Sequence, residues 1–509
     1  MKKLTGEDLG LEDVWAISQG LEKVDLAPAA RKKMEQSRSY IEKRLAAGEV
    51  IYGVNTGFGA FSSVKISNAD IVQLQKNLIR SHSTGVGEPF SKAQTRAIMA
   101  LRANALARGH SGIRPLVVDK ILEFLNADIL PVIPSQGSVG ASGDLAPLSH
   151  LALALIGEGN VWDGEKQVSA DKYLKKKGVK PLELQAKEGL SLINGCQVMT
   201  AVGLLAVYQA RRLLWLMDVA GAMTLEAMKG SRKAFDPLIS ATRKHPGEAK
   251  TARNMMKILG KSSGIGESHE NCTKVQDAYS LRCMPAVHGA AKDAVRSGLA
   301  TLEIEANSST DNPLVFATEN KILSCGNFHG EPVAFALDFM AIAMSAAASI
   351  SECRIEKLIN PAMSELPAFL APEGGLNSGH MIVQVAAASL VSENKILSHP
   401  ASVDSIPTSA DKEDHVSMGT IAARKFKRVV RNAENIVAME LLSATQALDL
   451  LKPLKPSEPL QKIYSHIRKE VPFAKVDRIF ANDIESIRKM IHDNSLIEVI
   501  QNQVGELEW

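Results

Sequence analysis

The sequence has few aromatic residues and no paired cysteine motif, and both absences narrow the classes of protein it can encode. Aromatic residues make up 5% of the 509 residues, and the five cysteines are odd in number and include no Cys-x-x-Cys pair. These features argue against a disulfide framework and against a zinc site built on cysteines. They favour a reducing compartment, and we expect a cytoplasmic protein.

An excess of one charge and uninterrupted hydrophobic runs are also missing. With 59 basic and 56 acidic residues, the net charge is +3, so nothing predicts binding to nucleic acid or to a membrane surface. The longest apolar run, Val198 to Met228, is interrupted by Arg211, Arg212 and Asp218, which a membrane span of about 20 residues rarely contains. The N-terminal MKKLTGEDLGLEDV carries acidic residues where a signal peptide would be apolar.

Long segments with apolar residues at helical spacing dominate the second half of the chain. They are Met199 to Lys229, His288 to Ala306, Pro332 to Leu358, Gly379 to Leu397 and Val416 to Leu448. Helices of this length must pack their wide apolar surfaces against other helices, including those of other subunits. We predict a mainly α protein in two parts: a mixed helix and loop domain over residues 1–200, and a long-helix bundle with a C-terminal helical segment over residues 201–509.

The segment GSVGASGDLAPLSH, Gly137 to His150, is unusually rich in small residues. A tight turn at Ala141-Ser142-Gly143 could bring the Gly143 nitrogen to the Ala141 carbonyl carbon and close a five-membered ring with loss of water. Loss of a second water from Ser142 would leave a 4-methylidene-imidazol-5-one, an electrophile of a kind that no ordinary side chain supplies. The ordinary alternative is a loop that leads into a helix beginning near Asp144 and Pro147.

Other polar residues stand in loops or at helix ends, and each has an ordinary explanation as well as a catalytic one. Tyr52 begins a glycine-rich loop, His82 ends a helical segment, and Asn194 precedes Gly195 in LINGCQ. Such positions suit a catalytic lid or a binding site, but also a packing residue, a helix cap and a turn. In VQDAYSLRC, the three-residue steps between Gln276, Tyr279 and Arg282 would place these side chains on one face of a helix or turn.

Together these segments resemble the aromatic amino acid ammonia-lyase family. The contiguous GSVGASGDLAPLSH is similar to the family signature in which Ala-Ser-Gly cyclises, and the resemblance extends from about Thr5 to about Leu451. It implies a fumarase/aspartase-like helical architecture and a methylidene-imidazolone formed from residues 141–143, with no metal or dissociable cofactor. It also implies a homotetramer whose active sites are shared between subunits, so that Tyr52, Arg282 and Phe328 do not all come from one chain.

The resemblance further implies roles for individual residues in eliminating ammonia from an amino acid. Tyr52 is the expected base, which requires that neighbouring groups stabilise its phenolate. Arg282 is the expected clamp for the substrate carboxylate. Asn194, Gln276 and Tyr279 would orient the substrate and the prosthetic group, and Phe328 would pack against that group.

Two positions indicate the substrate. Ser81-His82 and Glu413 resemble the pattern of the histidine-specific members of the family. An imidazole ring has one donor and one acceptor nitrogen, which a histidine and a carboxylate can hold. A phenyl ring would leave both groups unpaired, at a cost of about 1–3 kcal/mol each. L-Histidine is therefore the expected substrate and trans-urocanate the expected product.

Alternatives remain open at this point. Lyases for tyrosine or phenylalanine share the prosthetic group, and an aromatic amino acid 2,3-aminomutase shares it and sometimes the Ser-His pair. A fumarase-like lyase would share the helical architecture without needing Ala-Ser-Gly. A non-catalytic helical scaffold would explain the long helices but not the glycine-rich loops.

Overall fold

Helices make up most of the structure, a computed structural model that describes residues 1–67, 69–272 and 274–509. The described part of the chain contains 21 α-helices: α1 Leu11–Ser18, α2 Pro28–Ala46, α3 Ile71–His82, α4 Lys92–Ala107, α5 Pro115–Asn126, α6 Leu145–Leu155, α7 Ala170–Lys177, α8 Glu188–Ile193, α9 Gln197–Ala227, α10 Pro237–Thr242, α11 Pro246–Leu259, α12 Gly264–Glu267, α13 Tyr279–Arg282, α14 Met284–Ala306, α15 Glu331–Ile359, α16 Pro361–Ser364, α17 Met381–Leu397, α18 Gly419–Leu450, α19 Glu458–Glu470, α20 Phe480–His492 and α21 Ser495–Val504.

Eight short strands form four two-stranded sheets within the described residues. The first sheet is parallel and the other three are antiparallel, with strands β1 Lys2–Leu4 and β2 Val24–Leu26, β3 Val86–Pro89 and β4 Pro134–Gln136, β5 Asn160–Asp163 and β6 Lys166–Ser169, and β7 Leu314–Phe316 and β8 Lys321–Leu323. The polar, glycine-punctuated stretch between Gly157 and Gly178 contains the β5–β6 hairpin and α7. The hairpin forms because β-branched Val161 and Val168 pair directly across it.

The mainly α prediction is confirmed, and the predicted long helices correspond to α9, α14, α15, α17 and α18, with ends displaced by a few residues. Proline at the first turn starts several shorter helices, including α2, α5 and α11, because its missing N–H would be unpaired there in any case. A capping box between Ser91 and Gln94 starts α4, as it satisfies two free backbone N–H groups.

The described chain divides into two compact units. Unit 1 comprises Met1–Tyr208, Gly298–Asp338 and Pro400–Lys425, and unit 2 comprises Gln209–Ser297, Phe339–His399 and Phe426–Trp509. Both units are thus assembled from separate stretches of chain, and the division into sequential domains over residues 1–200 and 201–509 stays a prediction.

In unit 2, buried ion pairs connect the long helices. Arg354 of α15 donates two hydrogen bonds to Glu440 of α18, at 2.5 and 2.8 Å. Asp218 of α9 accepts from His288 and Lys292 of α14, at 2.9 and 2.5 Å. A buried charge is tolerated only with such partners, so these pairs specify how the helices align as well as holding them.

One helix among the described residues, α15, is long and apolar enough to cross a membrane by length and composition, and half of its most apolar stretch is buried inside the protein. Core helices of proteins outside membranes meet the same criterion, so the feature has little weight.

Candidate active site

The Gly137–His150 segment forms a tight loop before α6. Gly137, Gly140 and Gly143 have positive φ values of 119°, 71° and 75°, a backbone region that glycine adopts without strain. At Gly143 a side chain is also excluded sterically, because a Cβ atom would lie 2.2 Å from the Gly195 carbonyl oxygen. The glycine of the Ala-Ser-Gly string is therefore required by the backbone itself.

Backbone hydrogen bonds to Gly195 hold the loop in place. The Gly195 N–H donates to the Ser142 carbonyl oxygen at 3.3 Å, and the Gly195 carbonyl accepts from the Asp144 N–H at 2.8 Å. In the ring that Ala141, Ser142 and Gly143 would form, the Ser142 oxygen is the ring carbonyl oxygen. An N–H directed at it stabilises negative charge there, so the surroundings of the loop fit the predicted prosthetic group.

Asp144 anchors the end of the loop. Its fully buried carboxylate accepts hydrogen bonds from the N–H groups of Val198 and Met199, at 2.9 and 3.0 Å, and from the Thr420 hydroxyl. The side chain therefore caps the start of α9, although the residue itself stands immediately before α6. Burial raises the pKa of Asp144 to about 6, against the effect of these donors. This anchoring role is not evident in the sequence, where Asp144 reads only as an acidic residue near a helix start.

A cavity of about 800 Å³ opens beside Ser142, entirely within unit 1. It is lined by six of the residues that the sequence singled out: Tyr52, His82, Ser142, Asn194, Phe328 and Glu413. Ala141 turns away and packs with Val416 and Met418. The structure thus places the serine of the cyclising string, alone of its three residues, on the cavity wall.

Glu413 is the charged group nearest to the serine. Its Oε1 accepts a hydrogen bond from the Ser142 hydroxyl at 3.3 Å, and its Oε2 accepts from the Thr408 hydroxyl at 2.7 Å. His82, at the end of α3, hydrogen-bonds through Nδ1 to the Ser81 hydroxyl at 3.1 Å. Burial lowers the pKa of His82, although the Leu78 carbonyl and the Glu413 carboxylate act in the opposite direction. His82 is therefore neutral at pH 7, with one donor and one acceptor nitrogen.

Asn194, one of the residues lining the cavity, has an acceptor atom without a hydrogen-bond partner. The residue is 2% exposed, and its Nδ2 donates to Asp311 Oδ1 at 3.1 Å and to the Asn312 carbonyl at 3.3 Å. Its Oδ1 is buried and accepts no hydrogen bond. Burying an amide oxygen without a hydrogen bond costs about 1–3 kcal/mol. A ligand that donates a hydrogen bond to this oxygen would recover that cost.

Asp311 fixes the Asn194 amide and was not predicted as a site residue. Besides Asn194, its carboxylate accepts from Lys187 Nζ at 2.7 Å and from the Ser191 hydroxyl at 2.8 Å. Burial would raise the pKa of Asp311, but the Lys187 and Arg102 cations lower it overall. The sequence offered only the string SSTDNPL, in which nothing distinguishes this aspartate from a turn residue.

Tyr52 and Phe328 complete the wall. The Tyr52 hydroxyl accepts a hydrogen bond from the Gly59 N–H at 3.4 Å, which orients the phenol at the cavity wall. Phe328 is held through its backbone, where the carbonyl accepts from the Cys196 thiol at 3.0 Å.

Gln276, Tyr279 and Arg282 form a separate group in unit 2. Arg282 stacks on the Tyr279 ring with 4.5 Å between guanidinium carbon and ring centroid, and donates to Gln276 Oε1 at 3.2 Å. Tyr279 is 72% exposed. Arg282 thus contacts both other residues of the predicted group, and none of the three is among the residues lining the cavity that contains Ser142.

Glu305 of α14 lies behind the loop in unit 1, close enough to the Cys196 thiol and to Asp144 to influence its ionisation. Burial raises the pKa of Glu305 to about 7, with Asp144 acting in the same direction and Cys196 against it. An acid with a raised folded-state pKa stabilises the fold fully below its unfolded pKa of about 4.5, and that stability is lost as the pH rises through about 7.

We expect Glu305→Gln to be more thermally stable than the wild type at pH 8 and about equally stable at pH 4, below the unfolded pKa, because glutamine cannot ionise. The difference corresponds to at most roughly 3 kcal/mol, and thermal unfolding at both pH values measures it. Glu319→Gln, which changes an exposed carboxylate, should show no such difference. If the wild type instead unfolded at a higher temperature than Glu305→Gln at pH 8, the surroundings of Glu305 would favour its ionised form.

Comparison with known proteins places these features in a family context. Residues 9–469 match the family described as aromatic amino acid lyase. A protein of Anaeromyxobacter dehalogenans (strain 2CP-C) named histidine ammonia-lyase is 50% identical over 502 residues, covering 97% of this chain and 99% of that one. The crystal structure of histidine ammonia-lyase from Trypanosoma cruzi matches with a TM-score of 0.92 at 43% identity, covering 99% of this chain and 96% of that one. The tyrosine aminomutase of Streptomyces globisporus matches with a TM-score of 0.94 at 37% identity, with both chains fully covered.

Proposed function

We propose that this chain, which belongs to the aromatic amino acid lyase family, converts L-histidine to trans-urocanate and ammonia. The observation that carries the substrate is the presence of His82 and Glu413 in the cavity that contains Ser142. The similarity in sequence to proteins named histidine ammonia-lyase supports the same assignment. The similarity in fold does not discriminate between substrates, because an aminomutase matches equally well.

The prosthetic group that the reaction needs would be made from Ala141, Ser142 and Gly143. Once formed, a methylidene-imidazolone supplies the electron sink that draws the amine from the substrate. This proposal is supported by the glycine-only conformation at residue 143, by the exposure of Ser142 to the cavity and by the N–H of Gly195 at the Ser142 carbonyl oxygen.

His82 and Glu413 would hold the imidazole ring of the substrate. The Glu413 carboxylate accepts from a ring N–H, and the neutral His82 pairs with the other ring nitrogen as donor or with an N–H as acceptor. Both groups bear hydrogen-bonding capacity that a hydrocarbon ring would leave unused. Histidine is favoured over phenylalanine for that reason.

Asn194 and Tyr52 would act on the amino acid portion. The free Oδ1 of Asn194 accepts a hydrogen bond from the substrate amine and orients it. The Tyr52 oxygen, which accepts a hydrogen bond from the Gly59 N–H, would take the proton from the β-carbon. Phe328 packs against the ring and excludes water from this side.

The carboxylate clamp would come from a second copy of the chain. Arg282, half-buried between the exposed Tyr279 and Gln276, is a cationic group that is not among the residues lining the Ser142 cavity. Exposed apolar side chains on α15, at Phe335, Phe339 and Ile342, recur at helical spacing on one face. Contiguous apolar surface of this kind is usually covered by another chain, which supports a homotetramer with shared active sites.

The remaining features of the chain support a soluble enzyme that works without nucleic acid or a membrane. The balanced charge offers no surface for either, and the five cysteines are free, as in the reducing cytoplasm.

The role of Glu413 in specificity can be tested by removing only its charge. We expect Glu413→Gln to lower histidine turnover roughly tenfold or more, because one charged hydrogen bond is worth roughly 1.5–3 kcal/mol. Urocanate absorbance measures the rate. Asp414→Asn, which removes the adjacent exposed carboxylate, is the matched control and should stay near the wild-type rate. Equal rates for Glu413→Gln and Asp414→Asn would remove Glu413 from the substrate site.

A further inference from the structure

His329, Glu331 and His415 converge in unit 1, outside the lining of the Ser142 cavity. Glu331 Oε2 lies 4.0 Å from His329 Nδ1 and 3.9 Å from His415 Nε2. The three potential ligand atoms lie within 4.8 Å of one another, and the two imidazole rings are nearly parallel, with centroids 5.7 Å apart. Two imidazoles and one carboxylate are a ligand set that first-row transition metals take.

The hydrogen bonding of the group leaves its ligand atoms free. Glu331 Oε2 is buried and accepts no hydrogen bond. His329 donates from Nε2 to the His415 carbonyl at 3.3 Å, which places its hydrogen on Nε2 and leaves the Nδ1 lone pair facing Glu331. Metal-binding histidines commonly use their second ring nitrogen in this way, because the bond fixes both tautomer and orientation.

We propose that His329, Glu331 and His415 bind a divalent transition-metal ion, with zinc as the expected occupant. Zinc holds nitrogen and oxygen ligands at about 2.0–2.2 Å, so tetrahedral ligand atoms stand roughly 3.3–3.6 Å apart. The side chains must therefore close by at most roughly 1.5 Å, because the ligand atoms lie within 4.8 Å of one another. His415 can make most of that movement, because its side chain is 68% exposed. Calcium and magnesium are excluded as intended occupants, since both prefer oxygen ligands.

The proposed ion would tie together two segments that flank the cavity. His329 follows Phe328 directly, and His415 is two residues beyond Glu413. The absence of a Cys-x-x-Cys pair argues against a metal site built on cysteines. It says nothing about a site built on histidine and glutamate side chains. His415 is more than 80 residues from His329 and Glu331 in the sequence, so no single local motif reveals the complete ligand set.

Metal binding is tested directly on the full-length protein after removal of metal with a chelator. Isothermal titration calorimetry should show that each wild-type chain binds one equivalent of zinc with high affinity. Glu331→Gln and His415→Asn should each weaken that equivalent about 100-fold or more, because even a group that only orients a ligand is worth 10–100-fold in affinity. Glu331→Gln keeps the side-chain volume, and His415→Asn alters an exposed residue. The helical circular dichroism signal checks that both variants are folded.

Two control variants separate this site from adventitious binding. His245→Asn removes an exposed histidine and Cys272→Ser an exposed thiol, and both should retain the high-affinity equivalent. Cobalt in place of zinc should give visible bands without a thiolate charge-transfer band. A wild type that binds no equivalent, binding unchanged in Glu331→Gln and His415→Asn, or loss of binding in either control would each overturn the proposal.

Discussion

Replacing Ser142 with alanine should leave a folded protein with almost no activity. Alanine has no hydroxyl to lose, so the exocyclic double bond cannot form, while the backbone path of the loop depends on Gly140 and Gly143 and is unaffected. We expect turnover of L-histidine to fall more than about a thousandfold, since loss of one oxyanion donor alone costs about 10²–10³ in other enzymes.

Ser149→Ala is the matched control for this variant. The Ser149 hydroxyl is buried and bonds only to the Leu145 carbonyl of its own helix, so its loss should leave turnover near the wild-type value. Intact mass gives an independent readout, because the wild type and Ser149→Ala should be lighter than their sequences by two waters. Wild-type turnover in Ser142→Ala would show that no dehydrated serine takes part.

Co-expression of two inactive variants should restore about a quarter of the wild-type activity. Arg282→Met removes the proposed carboxylate clamp and should lower turnover about a hundredfold, as charged hydrogen bonds are worth roughly 1.5–3 kcal/mol each. If Ser142 and Arg282 of one site come from different chains, random mixing with Ser142→Ala yields about one intact site in four. Activity of the purified mixed oligomer, separated by two different affinity tags, measures the recovery.

Two variants in the same cavity provide the matched control, because they should not restore each other's activity. Ser142 and Glu413 line one cavity of the same chain, so mixed oligomers of Ser142→Ala and Glu413→Gln should show only the mean of the two parental activities. Failure of Ser142→Ala and Arg282→Met to exceed their mean would place the clamp and the electrophile on one chain and contradict the shared site.

The sequence predicted the long helices well because their apolar spacing is a local signal. Helix α3 ends at His82, as predicted, and α15 agrees with its prediction within one residue at each end. The prediction was poorer where structure depends on distant partners. Paired Val161 and Val168 turn a polar, glycine-punctuated stretch into a hairpin, which composition alone did not indicate.

The candidate site shows the same distinction. Ser142 and its glycines were evident from a contiguous string, whereas Asp144 and Asp311 act through contacts with residues 54 or more positions away. Asp144 lies within that string, but the sequence neighbours of the two aspartates do not indicate these distant partners. Residue spacing placed Gln276, Tyr279 and Arg282 together, but it carries no information about which other residues they meet.

The most direct test of the proposed function is the product that the purified protein forms from L-histidine. The account predicts equal amounts of trans-urocanate and ammonia, at a rate well above that of cinnamate from phenylalanine or coumarate from tyrosine. Release of a β-amino acid in place of urocanate, or faster deamination of tyrosine than of histidine, would contradict it.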